Sequence, residues 1–153
     1  MTIVPVPSRT IRRRNPDIGF SSRLIAPCGI NCRVCIAYLR EKNPCNGCRD
    51  ITKDKPKTRT QCRIKLCEHL QGRSHRFCVE CHLYPCQRLR QMDFRYRSRY
   101  HLSIINNLKV IDHEGVRKFL QHEKIRWKCP QCGNILCVHK NVCLFCDSPR
   151  NFA

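Results

Sequence analysis

The hydrophobic positions fall into a helical rhythm only in the middle of the chain. Ile104, Ile105, Leu108 and Ile111 recur at three- and four-residue spacing, which predicts a helix with Ser103 as its N-cap. Gly115 interrupts the pattern, and Val116, Phe119, Leu120 and Ile125 resume it up to Trp127. An earlier helix is expected to begin near Pro85 and to run through Leu89 and Met92. On either side of this stretch the apolar residues follow neither a helical nor a strand period. Cysteines and the turn-forming pairs Asn43-Pro44, Asn46-Gly47 and Tyr84-Pro85 provide the punctuation there.

Four zones follow: a basic, extended or disordered tail at 1–22, a cysteine-rich metal-binding region at 23–86, a helical region with a basic face at 87–127, and a zinc ribbon at 128–153. The tail contains Pro5, Pro7, Pro16 and the triplet Arg12, Arg13, Arg14 and shows no periodicity. The central helices are read as a packing platform joining the two cysteine zones. No solenoid-type repeat is visible.

Composition changes this picture by weakening the case for an ordinary core. Hydrophobic residues are 41% of 153 only when the 15 cysteines are counted among them, so another source of stability is needed. Disulfides would serve in a secreted protein. The first twenty residues contain no apolar run of signal-peptide length, and no stretch approaches a transmembrane span. The expectation is a cytoplasmic protein without membrane attachment, in which reduced thiols bind metal.

The clearest site is Cys129-Pro-Gln-Cys132-Gly followed by Cys143-Leu-Phe-Cys146. Two Cys-x2-Cys pairs at this separation are the spacing of a zinc ribbon. A tight turn presents both sulfurs of a pair to one tetrahedral ion, and Gly133 lets the backbone close. The competing use of Cys129 and Cys132 as a redox pair needs a preceding strand, whereas an amphipathic helix precedes them. Cys137 and His139 are either further ligands or a buried thiol and a surface imidazole, with the structural reading preferred.

The N-terminal zone contains Cys28-x3-Cys32-x2-Cys35, Cys45-x2-Cys48, Cys62-x4-Cys67 and Cys78-x2-Cys81-x4-Cys86. Ten thiols suit at least two metals, with His69, His75 and His82 as possible additional ligands. An interleaved scheme joins Cys32/Cys35 to Cys62/Cys67 and Cys45/Cys48 to Cys78/Cys81. A sequential scheme pairs neighbours. Both stay open. Cys28, Cys32 and Cys35 also have the spacing that holds a [4Fe–4S] cluster in radical enzymes, and a simple cluster completed by a fourth cysteine is the alternative to zinc. Pro44-Cys45-x2-Cys48 matches half of a zinc deaminase motif but lacks the upstream His-x-Glu. No Asp, Glu and His cluster suggests an open catalytic zinc.

Taken together these motifs resemble the cysteine-rich domain-of-unknown-function 3795 family of prokaryotes. The resemblance rests on Ala26-Pro-Cys28-Gly-Ile-Asn-Cys32-Arg-Val-Cys35, Cys45-Asn-Gly-Cys48, and Phe77-Cys78-x2-Cys81 leading to Tyr84-Pro85-Cys86. It extends through Arg95-Tyr-Arg-Ser-Arg-Tyr100 to Trp127-Lys-Cys129 and the ribbon. It implies a metal-binding protein with no established activity.

Charge supplies the last expectation. With 30 Lys+Arg against 11 Asp+Glu, the formal charge is +19. Each four-thiolate zinc site carries about −2, so about three zinc ions would leave roughly +13. The remaining excess points to a polyanion, RNA ahead of a membrane surface, with association to a ribosome or ribonucleoprotein as the expected setting. Arg88, Arg90, Arg95, Arg97 and Arg99 interleave with Phe94, Tyr96 and Tyr100, and Arg12, Arg13 and Arg14 add a second basic segment. Lys53, Lys55, Lys57, Arg59, Arg63 and Lys65 form a third. Guanidinium groups pair with phosphates while aromatics stack on unpaired bases, although tyrosines 96 and 100 are expected to face the core. The fold class expected is a small metal-stabilised α+β protein with an irregular multi-zinc cysteine-rich N-terminal part, central helices and a C-terminal zinc ribbon. Its expected role is a non-catalytic zinc-binding protein; a metal-cluster accessory factor and a protein-interaction adaptor are the alternatives.

Overall fold

The computed structural model describes residues 20–50, 61–70 and 75–151. Arg12, Arg13 and Arg14 and the lysines at 53, 55 and 57 lie outside the described residues. The described part is mostly helical. A short α1 (Ile36–Leu39) is followed by α2 (Gln87–Tyr100), α3 (Ile104–Glu114) and α4 (Val116–Arg126). β structure among the described residues is limited to isolated bridges, Ile25 with Asn31, Lys128 with Ile135 and Val142 with Pro149. The β part of the expected α+β class is thus only turn closures, because the cysteine knuckles are too short to pair strands.

Each long helix buries the face its sequence marks. In α3, Ile104, Leu108 and Ile111 are buried, and Asn107 falls on the same stripe. Ser103 caps the helix by accepting from the Asn106 N–H at 3.1 Å. Ser103 in turn donates to Asp93 Oδ1 at 2.8 Å, and the Ile105 N–H donates to the same oxygen at 3.1 Å. Asp93, the only acid on α2, therefore places a carboxylate at the N-terminus of α3, where the helix dipole favours it. In α4 the buried stripe is Phe119 and Glu123, continued by Trp127. Ile125, expected inside, is 79% exposed.

Helix α3 packs against both α2 and α4 and against the Cys78–Glu80 turn of the N-terminal zone. Asn107 Nδ2 donates to the Gly29 carbonyl at 3.0 Å. Gly29 has φ +92°, and a Cβ there would meet Ile104 O and Leu108 Cγ at 2.9 Å. Only glycine lets the loop approach this closely. The two cysteine zones also touch directly, because the Val138 N–H donates to Val34 O at 2.9 Å. Buried apolar residues from Ile25 to Cys143 form one cluster, to which Cys28, Cys32, Cys129, Cys137 and Cys143 also belong.

A buried carboxylate ties this arrangement together. Glu123 Oε2 accepts from Asn31 Nδ2 at 3.1 Å and from Trp127 Nε1 at 2.6 Å. Burial pushes the Glu123 pKa up, while those donors and the nearby Arg126 pull it back. The C-terminal end is pinned by Arg150, whose guanidinium donates to the carbonyls of Cys137, Val138 and Tyr100 at 2.9 to 3.0 Å.

Candidate metal centre

The C-terminal cysteines form two matched turns. In the first, the Cys129 N–H donates to Asn134 O and the Gly133 N–H to Cys129 O, at 2.7 and 2.9 Å. In the second, the Cys143 N–H donates to Ser148 O and the Asp147 N–H to Cys143 O, at 2.8 and 3.0 Å. The residue after each second cysteine is left-handed, Gly133 at φ +75° and Asp147 at φ +59°. That conformation turns the chain sharply enough for both thiols of a pair to face the same point.

Four sulfurs converge. The Sγ atoms of Cys129, Cys132, Cys143 and Cys146 all lie within 4.8 Å of one another. Cys129 to Cys146 is 3.7 Å and Cys132 to Cys143 is 3.6 Å. Four sulfurs about 2.3 Å from a tetrahedral ion sit about 3.8 Å apart, so the geometry fits one thiophilic ion with no open position. The surroundings favour the thiolate at Cys129 and Cys146 and oppose it at Cys143. At Cys129 burial opposes ionisation, but N–H groups of Cys132 and Gln131 and the Ser148 hydroxyl outweigh it and bring the thiol to about 6. Ser148 also holds Cys146 below the usual thiol range. Burial pushes Cys143 up to about 12. This group can bind a metal ion through four cysteines.

The N-terminal thiols are arranged differently. Cys28, Cys32, Cys35, Cys48 and Cys62 line a single cleft of about 910 Å³. The Cys48 N–H donates to Cys32 Sγ at 3.3 Å. Burial raises the Cys28 pKa, and the nearby Cys48, Cys78 and Cys62 add to the shift. At Cys32 the thiol contact with Cys48 raises the pKa most, followed by burial. Beyond them, burial pushes Cys78 up to about 12, with the nearby Cys86, Cys67 and Cys81 adding to the shift. Cys28 thus counts Cys48, Cys62 and Cys78 alike among its neighbours, so the thiols do not fall into two separate sets. Cys45 turns inward and is buried, its N–H donating to Ala37 O at 2.7 Å.

Several participants gave no motif signal. Arg49 stands beside the first set, donating to Ile25 O and Arg76 O at 2.6 Å and stacking on Phe77 at 4.9 Å. Burial lowers its pKa, while Cys32, Cys28 and Cys48 pull it back up. His139, expected at the surface, is half-buried. Its Nδ1 accepts from the Ile36 N–H at 3.3 Å and its Nε2 meets Tyr96 Oη at 3.2 Å. Both ring nitrogens serve as structural links between the zones. Cys137 is fully buried. His69 and His82 touch edge to face at 5.6 Å.

The arginines of α2 divide between two faces. Arg88, Arg95 and Arg99 line the cleft together with Tyr96 and Tyr100. Arg97 pairs with Asp93 at 2.8 Å. Arg90 is exposed, and Phe94 is exposed at 65%.

Residues 24–91 match the family model described as "Protein of unknown function (DUF3795)". The similarity is to this segment. The DUF3795 match covers the ten N-terminal cysteines and the first turn of α2, the same family the cysteine motifs resemble. It is narrower than the resemblance, since the C-terminal four-cysteine group and most of the arginine-rich helix lie beyond it. The chain matches no curated protein and no solved structure. No helix among the described residues is long and apolar enough to cross a membrane.

Proposed function

We propose that this is a non-catalytic, cytoplasmic zinc-binding protein that presents a basic surface to RNA, in association with a ribosome or another ribonucleoprotein. The metal part rests on the four-cysteine knuckle, whose closed geometry leaves no coordination position for a substrate. The RNA part is carried by one observation on α2. Phe94 is an exposed ring with Arg90 and Arg97 about one turn away on either side, and the only acid on that helix is buried. An exposed aromatic among guanidinium groups suits stacking on unpaired bases with phosphate contacts alongside. Tyr96 and Tyr100 do not serve this role, because they pack on His139.

The test is fluorescence anisotropy of the metal-loaded full chain with single-stranded RNA. Binding is expected at about 0.15 M salt and should weaken steeply as salt rises. Phe94→Ala should reduce affinity about tenfold, within the range for loss of one stacked base. Absence of binding to RNA at that salt would refute the reading.

A further inference from the structure

Ile125 sits in the last turn of α4 and is 79% exposed. One exposed isoleucine is ordinary on any protein surface. Here, however, it lines a groove of about 580 Å³ together with Phe20, Trp127 and Ile135. Trp127 and Ile135 are buried and Phe20 is half-buried, so these three form its floor. Lys124 and Lys128 line the same groove, and both are exposed. A Cβ on Gly133 would meet Lys128 Cε at 3.8 Å, so the aliphatic stem of that lysine reaches across the first knuckle turn. The groove thus offers an apolar floor, an exposed branched side chain and two ammonium groups.

Charge narrows what can occupy it. Neither lysine is ion-paired with a carboxylate among the described residues. Arg117 and Lys118 are exposed further along α4. The only acid of that helix, Glu123, is buried and engaged by Asn31 and Trp127. A second copy of the chain would bring these same cations face to face. Residues 1–19 of the chain itself carry Arg9, Arg12, Arg13 and Arg14 against one acid, Asp17, and match the groove poorly in charge. RNA has phosphates for the lysines, but Trp127 offers its bases no stacking face. Arg126 and Arg150 sit over that ring at 5.2 and 5.3 Å, and its N–H is donated to Glu123. The chemistry that fits is a bulky apolar side chain flanked by carboxylates. Its apolar part covers Ile125 and Ile135, and its acids meet the lysines.

We propose that the groove at the end of α4 is a docking site for a protein partner, which seats an apolar anchor from an acidic segment on Ile125 and Ile135 with its carboxylates on Lys124 and Lys128. This surface goes beyond the RNA reading and does not depend on it, because Phe94 and the rest of α2 do not line the groove.

The test selects short random peptides, displayed on phage, against the metal-loaded full chain. Enriched sequences are synthesised and measured by fluorescence anisotropy. They should combine Asp or Glu with a Leu, Ile, Phe or Met anchor. Binding should weaken about tenfold or more in I125D and in K124E/K128E, the loss typical of an interface anchor. I125L should bind like the wild type. All three positions are exposed, so the variants should keep the wild-type circular dichroism and metal content. F94A should bind the peptides normally while losing RNA affinity, which separates this surface from the one on α2. No enrichment, enriched peptides without acidic residues, or equal binding by I125D and K124E/K128E would overturn the proposal. A wild-type dimer in sedimentation that I125D dissolves would overturn it in favour of a second copy. Displacement of the peptides by single-stranded RNA, with RNA affinity lost in K124E/K128E, would overturn it in favour of nucleic acid.

Discussion

The two cysteine zones use the same side chain in opposite ways. At the C-terminus, spacing of two residues within each pair and a left-handed residue after each second cysteine bring four sulfurs to one point. In the N-terminal zone the thiols come from segments more than thirty residues apart, and Cys28 and Cys32 are buried among side chains of the shared core. One zone is organised by local turns around a point where a metal ion could be held. The other is organised by docking onto α3 and α4. Local spacing alone suffices for the first, and only long-range packing can assemble the second.

Metal removal should separate them most strongly. Between residues 140 and 149 Cys143 alone is buried, so little apolar contact remains there once the ion is gone. Structural zinc sites contribute on the order of 10 kcal/mol in small peptides at neutral pH. Exhaustive chelation should therefore abolish amide protection across 140–149 and lower the melting temperature by more than about 10 °C. Helices α3 and α4 should keep part of their protection, because Ile104, Leu108 and Phe119 pack independently of any ion. Unchanged exchange in the knuckle after complete metal loss would break the contrast.

Glu123 probes the junction where the zones meet. Replacing it with alanine leaves Asn31 Nδ2 and Trp127 Nε1 buried without their acceptor, and should cost about 3 kcal/mol in denaturant unfolding. Glu123→Gln keeps an acceptor in place and should change neutral-pH stability by less than about 1 kcal/mol. The pH dependence has a definite sign. Burial raises the folded-state pKa above the ordinary 4.5, so ionisation on going above that value disfavours the folded state. The wild type should lose stability relative to Glu123→Gln as pH rises from 4.5 through the folded-state value, and a constant difference across that range would refute the assignment.

Gly29 tests docking of the N-terminal zone alone. Alanine there meets both Ile104 O and Leu108 Cγ at 2.9 Å and must also hold φ +92°. The expected cost is about 3 kcal/mol, from backbone strain and overpacking together. Metal bound by the knuckle should be unaffected. A stable Gly29→Ala protein would show that the loop does not seat on α3 as closely as described.

What was legible in the sequence follows the same division. The helices at 104–114 and 116–126, the Ser103 cap and the four ribbon cysteines all depend on neighbours within a few turns of chain. Ile125 misled because its spacing continues the apolar pattern, whereas the buried stripe runs through Glu123. That residue goes inside because a partner 92 positions away, Asn31, satisfies it, and no local pattern encodes such a pair. Grouping of the ten N-terminal thiols was illegible for the same reason. Arginine spacing on α2 announced a basic helix, but the split between a cleft face and an outer face depends on which side packs over the thiols.

The smallest effect compares two equivalent positions within the knuckle. Gly133 and Asp147 each follow the second cysteine of a pair and each has positive φ, +75° and +59°. A Cβ at Gly133 meets only Lys128 Cε at 3.8 Å, so steric crowding is absent and conformation alone sets the cost. Gly133→Ala should therefore destabilise by about 1 kcal/mol. At Asp147 the strained conformation is already occupied by a residue with a Cβ. Asp147→Gly relieves that strain but gives the unfolded chain more freedom, so a net gain of about 0.5 kcal/mol is expected. Opposite signs at the two positions, read from chemical denaturation of metal-loaded protein, would establish that both turns are built on the same backbone conformation. A loss at Asp147 would mean that its carboxylate, and not only its backbone, supports the second turn.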